Sequence, residues 1–288
     1  MRILLFGPSG QVGRETVEAA ARRGVELVAL SRARADLSTP GAGAAAIAAA
    51  RPQAVINAAA WTAVDKAESE PDGARRLNAE APAELASACA RAGARLIHLS
   101  TDYVFDGNAA GPLDERAPTA PLNVYGATKL AGERAVLAAD PASVVVRTSW
   151  VYAAHGANFV RTMLRLAETK PELSIVSDQI GGPTPASAIA EACLDIALRE
   201  DGPGGLYHFQ GAPPVSWAAF AAAIFAAAGK AVTVNAILTR DYKTPAQRPL
   251  LTVLNCAKIL ADYGVRQPDW RAGLAGVAGR LLNDQYTT

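Results

Sequence analysis

Through the first half of the chain, short runs of Val, Ile and Leu alternate with longer alanine-rich stretches. The runs are Ile3 to Phe6, Leu27 to Leu30, Val55 to Asn57, Leu96 to Leu99 and Val144 to Val146. None alternates strictly between apolar and polar positions, which is the pattern of strands covered on both faces. The stretches between them have helical character, beginning with one from about Arg14 to Arg23. Strands joined through helices return to one sheet as parallel neighbours. The pattern therefore predicts an α/β fold built on a parallel sheet. After about residue 150 the rhythm breaks, and Gly181-Gly182-Pro183, Gly202-Pro203-Gly204-Gly205 and Pro213-Pro214 separate shorter elements. We expect one domain over residues 1–150 and a smaller C-terminal lobe over 151–288, packed closely because no linker separates them.

Half of the 288 residues are hydrophobic, enough for a large core. The 28 Lys and Arg against 27 Asp and Glu give a net charge of +1, which offers nucleic acid no basic field and a membrane no polybasic anchor. Cys89, Cys193 and Cys256 are odd in number and far apart, and nothing has metal-ligand spacing. Met1-Arg2 leads into only four apolar residues before a glycine loop, unlike a signal peptide. The most apolar later stretch, Val215 to Ala228, falls short of the ~20 residues that cross a bilayer. We expect a cytoplasmic protein without metal, membrane or nucleic-acid partners.

Directly after the first run comes Gly7-Pro8-Ser9-Gly10-Gln11-Val12-Gly13. Between a first strand and a first helix, such glycines let the backbone turn and approach a pyrophosphate, whose charge then sits at the helix N-terminus. This makes the sheet Rossmann-like and doubly wound, and residues 1–150 a dinucleotide-binding domain. The Gly-x-x-Gly-x-x-Gly spacing is one residue longer than the usual Rossmann pattern and points to short-chain dehydrogenases and reductases. An acid at the end of the second strand would favour NAD; here Ser31-Arg32-Ala33-Arg34 offers a hydroxyl and two guanidiniums to a 2′-phosphate. We expect NADPH to be preferred, with Asp36 keeping NADH in play.

Tyr125 and Lys129 stand four apart in a helical stretch, so both lie on one face. A neighbouring ammonium should lower the tyrosine's pKa, and the phenol can then protonate a ketone oxygen as hydride reaches the carbon, with Lys129 also holding the nicotinamide ribose. A hydroxyl that polarises the carbonyl should follow an upstream strand, and Ser100 or Thr101 stands there.

Four segments, Asn57 to Glu68 (NAAAWTAVDKAE), Ser100 to Phe105 (STDYVF), Pro121 to Gly126 (PLNVYG) and Arg147 to Tyr152 (RTSWVY), together resemble the dTDP-4-dehydrorhamnose reductase family. The likeness continues through Asn158-Phe159, Asp178-Gln179, Gly182 to Thr184, Gly205 to His208 and Thr244 to Pro249. The resemblance implies reduction of the C4 ketone of a dTDP-linked 4-keto-6-deoxy sugar with NAD(P)H. It places Gly10, Gln11 and Val12 at the pyrophosphate, Asp36 and Leu37 at the adenine side, and Ala60, Trp61 and Thr62 at the nicotinamide half. Thr101 and Asp102 would hold the sugar, Trp150 border it, Tyr125 donate the proton beside Lys129, and Arg248 take the nucleotide phosphates. A homodimer is a further expectation of the family.

Some family members hold magnesium between subunits through glutamates. Glu15 matches one of these, but Pro185 to Ala190 supplies no acidic partner, so we expect no metal. Two competing readings share the scaffold. An epimerase or dehydratase would recycle its hydride, and dehydratases usually carry two adjacent acids after the catalytic threonine, whereas Asp102 is followed by Tyr103. A regulatory subunit would bind dinucleotide without turnover, against which Thr101, Tyr125 and Lys129 all stand intact.

Overall fold

All five apolar runs are strands in the computed structural model, which describes residues 1–285, with side chains through residue 281; residues 286–288 of the expected second lobe lie outside the described residues. The strands are β1 (Arg2–Phe6), β2 (Glu26–Leu30), β3 (Ala54–Asn57), β4 (Arg95–Thr101), β5 (Val144–Thr148), β6 (Val151–Tyr152), β7 (Glu172–Val176), β8 (Ile180–Gly181), β9 (Thr184–Pro185), β10 (Gly205–His208), β11 (Val215–Ser216) and β12 (Thr233–Ile237). The helices are α1 (Gln11–Arg22), α2 (Ala42–Ala50), α3 (Val64–Ser69), α4 (Pro71–Arg75), α5 (Ala81–Ala92), α6 (Val124–Ala139), α7 (Phe159–Leu166), α8 (Ala186–Leu198), α9 (Trp217–Ala227), α10 (Ala257–Tyr263) and α11 (Trp270–Gln285). A π-helical turn, Arg76–Glu80, joins α4 to α5.

The order β10-β5-β4-β3-β1-β2 forms one six-stranded sheet with every neighbouring pair parallel. Successive strand residues point to opposite faces, and both faces are dry. Ile3, Leu5, Ile56, Ile97 and Val146 pack with Ala19 of α1 and Ile189 and Cys193 of α8. Leu4, Phe6, Val55, Leu96 and Val145 pack with Ile47 of α2 and Leu85 and Cys89 of α5. This double burial is why the runs show no polar alternation. The chain past residue 150 also enters this architecture, since β10 pairs along β5 from Gly205↔Val144 to His208↔Arg147 and α8 supplies one helical layer. A separate core of Val160, Met163, Leu173, Phe220, Ile224, Trp270 and Leu274 joins α7, α9 and α11 to β7, which pairs with β12.

From β1 the chain runs outward to β2 on one side and to β3, β4 and β5 on the other. The loops after β1 and β3 therefore diverge across a crevice at the carboxyl ends of the strands, where open parallel sheets bind ligands. They also touch at their base. Gly7 has φ +81°, and a Cβ there would stand 2.7 Å from the Ala59 nitrogen, so only glycine fits.

Candidate active site

The crevice is a cleft of about 780 Å³ walled by successive strand ends. Gly7, Ser9, Gly10, Gln11 and Val12 follow β1, while Arg32, Asp36 and Leu37 follow β2. Ala58, Ala59, Ala60 and Thr62 follow β3; Thr101, Asp102 and Tyr103 lie at the end of β4; and Thr148 to Val151 close β5. Tyr125 and Lys129 project from α6, and Trp217 comes from the start of α9.

Gly10 caps α1 without any side-chain hydrogen bond, so the first-turn N–H groups remain open to an anion. A Cβ on Gly10 would meet only the Gly7 oxygen, at 3.5 Å, and would otherwise fill cleft space. Gly13 acts differently, because a Cβ there would collide with the Gly7 carbonyl. Gly7 and Gly13 thus build the turn, and Gly10 leaves room for a ligand. Among the described residues the buried Thr148 Oγ1 finds no hydrogen-bond partner, and Thr148 lines the same cleft, an acceptor and donor that a bound molecule can satisfy. These features fit a dinucleotide. Arg32 Nε donates to Asp36 Oδ2 at 3.0 Å on an exposed rim. The hydroxyl and backbone N–H of Ser38, then Arg32, hold the Asp36 carboxyl down at about 2. Of the residues expected at the ligand, Ser31, Gly13, Trp61 and Arg248 do not line the cleft. The Arg248 guanidinium is paired with Asp65 at 2.9 and 3.1 Å.

Asn123 starts α6 by accepting the Gly126 N–H at 2.8 Å. A Cβ on Gly126 would strike the Tyr103 carbonyl, so glycine lets the helix close on the end of β4. Tyr125, Lys129 and Glu133 then share one face. Burial pushes the Tyr125 phenol up to about 12, the Thr101 hydroxyl opposing it. This corrects the expectation that Lys129 lowers it. Lys129 Nζ donates instead to the Leu99 carbonyl at 2.6 Å and lies 3.4 Å from His98 Nε2, and burial pulls its own pKa down to about 8.

The two hydroxyls at the end of β4 have different tasks. Ser100 also borders the cleft, but its hydroxyl donates inward to Glu133 Oε1 at 2.5 Å. Thr101 Oγ1 donates to Asp102 Oδ1 at 3.2 Å and accepts the Tyr103 N–H, at the cleft wall. Asp102 also accepts from Thr252 Oγ1 at 2.5 Å, and burial lifts its carboxyl to about 6. Trp150 adopts φ +45° and stacks on Trp217, ring centroids 3.4 Å apart and 6° from parallel. Gly181 is bare where a Cβ would meet that indole at 2.7 Å. Asn78, unread in the sequence, is fully buried. It accepts the Trp61 N–H at 2.9 Å and donates to the Trp61 carbonyl and Thr128 Oγ1, tying the loop after β3 to α6. Its only sequence signal was an amide amid helical apolar positions.

The same polar groups set the acid limit of the fold. His98 and His208 are fully buried, and burial holds both uncharged, His208 down to about 3 with Arg147 adding to the effect. The unfolded chain protonates both below about pH 6.5, so each contributes stability that is lost as pH falls, ~1.4 kcal/mol per pH unit. Asp102, raised to about 6, acts oppositely between roughly pH 6 and 4, because the native carboxyl protonates before the unfolded one. Urea midpoints should therefore report a net loss of about 1.4 kcal/mol per pH unit across that window. A flat profile would mean that one of these histidines is charged in the native state.

Glu15 gives no support for a divalent cation. Its carboxylate accepts from Arg280 Nη1 at 3.2 Å and lies 3.7 Å from His155 Nδ1, so a guanidinium stands where a metal would need room. Among the described residues no cluster of three His, Cys, Asp or Glu has metal-site geometry. Nor is any described helix long and apolar enough to cross a membrane.

The family described as "RmlD substrate binding domain" matches residues 1–283. The dTDP-4-dehydrorhamnose reductase of Escherichia coli K12 is 43% identical over 301 residues, covering 100% of this chain and 99% of that protein. The Burkholderia thailandensis protein of the same name is 44% identical over 298 residues, covering 98% and 100%. Among solved structures, that of Clostridium acetobutylicum dTDP-4-dehydrorhamnose reductase superposes with a TM-score of 0.93 at 36% identity, over 98% of this chain and 100% of that one. The Bacillus anthracis enzyme, solved in complex with NADP, gives 0.90 at 33% identity over 98% and 99%. With likeness extending from the glycine loop through residue 283, the chain belongs to the dTDP-4-dehydrorhamnose reductase family.

Proposed function

We propose that this chain reduces the C4 ketone of dTDP-4-dehydro-L-rhamnose to give dTDP-L-rhamnose, with NADPH preferred and NADH accepted. The observation that carries the reading is that Thr101, Tyr125 and Lys129 line the same cleft as the uncapped N-terminus of α1. Residues 1–150 are the proposed seat of the dinucleotide, and 151–288 mainly that of the sugar nucleotide. The reduced nicotinamide supplies the hydride that the ketone carbon receives. Tyr125, whose phenol sits at about 12, keeps its proton at neutral pH and gives it to the carbonyl oxygen as negative charge develops there. Thr101 donates to the same oxygen and so polarises the ketone before transfer. Asp102 is an anion above its pKa of about 6 and accepts from a sugar hydroxyl. Lys129 holds the nicotinamide ribose, the α1 N–H groups hold the pyrophosphate, and Trp150 borders the sugar, backed by its stack on Trp217. Arg248 is the proposed ligand of the nucleotide phosphates, reached by exchanging Asp65 for them. The three free, buried cysteines support a reducing cytoplasmic setting, and a homodimer completes the proposal.

The test follows loss of nicotinamide absorbance with the dTDP keto sugar made in situ, repeated with NADH and with a UDP-linked keto sugar. Rapid oxidation with the dTDP sugar is expected, and none despite NADPH binding would sink the assignment. In the same assay Arg32→Ala should lower kcat/KM for NADPH by about tenfold, the worth of one charge-assisted bond to a 2′-phosphate, and leave NADH within about threefold. An equal fall with both cofactors would remove Arg32 from cofactor choice.

A further inference from the structure

Behind Lys129 runs a buried chain of polar groups. His98, in the middle of β4, lies between Asn57 of β3 and Lys129 of α6. Its Nδ1 is 3.1 Å from Asn57 Nδ2, and its Nε2 is 3.4 Å from Lys129 Nζ. The Ala59 N–H donates to Asn57 Oδ1 at 3.1 Å, which fixes the amide: its oxygen faces Ala59 and its NH₂ faces the imidazole. His98 Nδ1 must then accept, and a neutral imidazole carries its proton on Nε2. That N–H points at Lys129 Nζ, which itself donates to the Leu99 carbonyl at 2.6 Å.

An ammonium has only N–H bonds to offer, so a charged Lys129 would meet His98 donor to donor. An uncharged amine has a lone pair and accepts. Each contact linking Asn57, His98, Lys129 and Leu99 then pairs one donor with one acceptor, as buried polar groups do in native proteins. The other titratable groups around the amine do not demand its charge. Glu133, one turn along α6, is neutralised by Arg147 of β5 at 2.6 Å. Asp102, at the end of β4, is tied to Thr101 and Thr252, and Tyr125 on the same helix face keeps its proton. Burial of Lys129 works in the same direction.

We infer that His98, fixed by Asn57, is a positioning residue that disfavours the ammonium form of Lys129 in the free protein, so that above neutral pH dinucleotide binding is coupled to proton uptake from solvent by Lys129 Nζ. The inference rests on the proposed role of Lys129 at the nicotinamide ribose. The ribose hydroxyls are acceptors, so Lys129 directed at them gains partners for N–H bonds that His98 denies it.

Titration calorimetry of NADPH binding to the full chain, in buffers of different ionisation enthalpy at about pH 8.5, counts the protons. The wild type should take up more than about half a proton per NADPH, and His98→Gln less than about a fifth, because an amide oxygen accepts from an ammonium and keeps Lys129 charged throughout. Ring ¹⁵N spectra of the unaltered protein, which has only three histidines, should show His98 uncharged with its proton on Nε2. An Nδ1–H tautomer, a charged ring, or NADPH binding without proton uptake would overturn the inference. Failure of NADPH to bind at all would count against the proposed function, while the tautomer would still decide the state of His98.

Discussion

Tyr125→Phe should lower kcat at least ~100-fold while leaving NADPH affinity within about threefold, as expected for loss of a general acid. The ring keeps its packing, since the edge-on contact with Tyr103 at 5.5 Å involves carbon atoms that phenylalanine retains. Only the proton donor is lost. Thr101 remains but is a poor substitute, because an aliphatic hydroxyl is a far weaker acid than a phenol and can polarise the ketone without giving up its proton. The unusually high pKa of Tyr125 sharpens the expectation. A phenol held at about 12 is protonated across the neutral range, so activity should show no alkaline-limb decline from this residue until well above neutral pH. Steady-state rates with saturating NADPH would settle the matter, and a variant within about tenfold of wild type would take Tyr125 out of the mechanism.

The largest stability effect is expected four residues beyond Lys129. Glu133 and Arg147 form an ion pair with both side chains 3% exposed, through bonds of 2.6 and 2.9 Å. Ser100 adds a third bond to the carboxylate, and the guanidinium lies 4.9 Å from the Phe105 ring centroid. Removing one member leaves a buried charge without compensation, so Glu133→Ala should cost about 3–5 kcal/mol. Replacing both members with methionine should cost far less, since the desolvation of two ions disappears with them. Urea unfolding of the single and double variants separates these outcomes; a single variant losing under about 1 kcal/mol would mean that water already reaches the pair. This pair also concerns the site. It clamps α6 to β5, and α6 carries Tyr125 and Lys129 on the same face.

Much of this was legible in the chain because the strongest signals are local. An unbroken apolar run such as Leu96 to Leu99 means two covered faces, and the predicted strands lie within the observed ones. The glycine loop and the Tyr125 to Lys129 spacing are likewise written within a few residues. What stayed hidden depends on partners far apart in sequence. His98 reads as one polar residue in a core strand until Asn57, 41 positions earlier, is seen beside it. Thr252 meets Asp102 from 150 residues away, and Trp217 reaches Trp150 only by way of α9. The direction of the Tyr125 shift was misjudged for a related reason. Spacing shows that a lysine shares the helix face, but not that its nitrogen is turned to Leu99 and His98. Arg248 is similar: its positive charge is plain, and its pairing with Asp65, 183 positions away, is not.

The late return of β10 to the sheet matters while the chain is still being made. Until Gly205 to His208 arrive, β5 is an edge strand with three consecutive valines and no neighbour on its outer side. At ~5–20 residues per second, synthesis from Thr148 to Gly205 leaves that edge unpaired for about 3 to 11 s. An open apolar edge is a template for pairing with another chain. Crowded ribosomes on one message would present several such edges at once, so soluble yield should depend on translation speed across residues 149–205 more than on the stability of the finished fold.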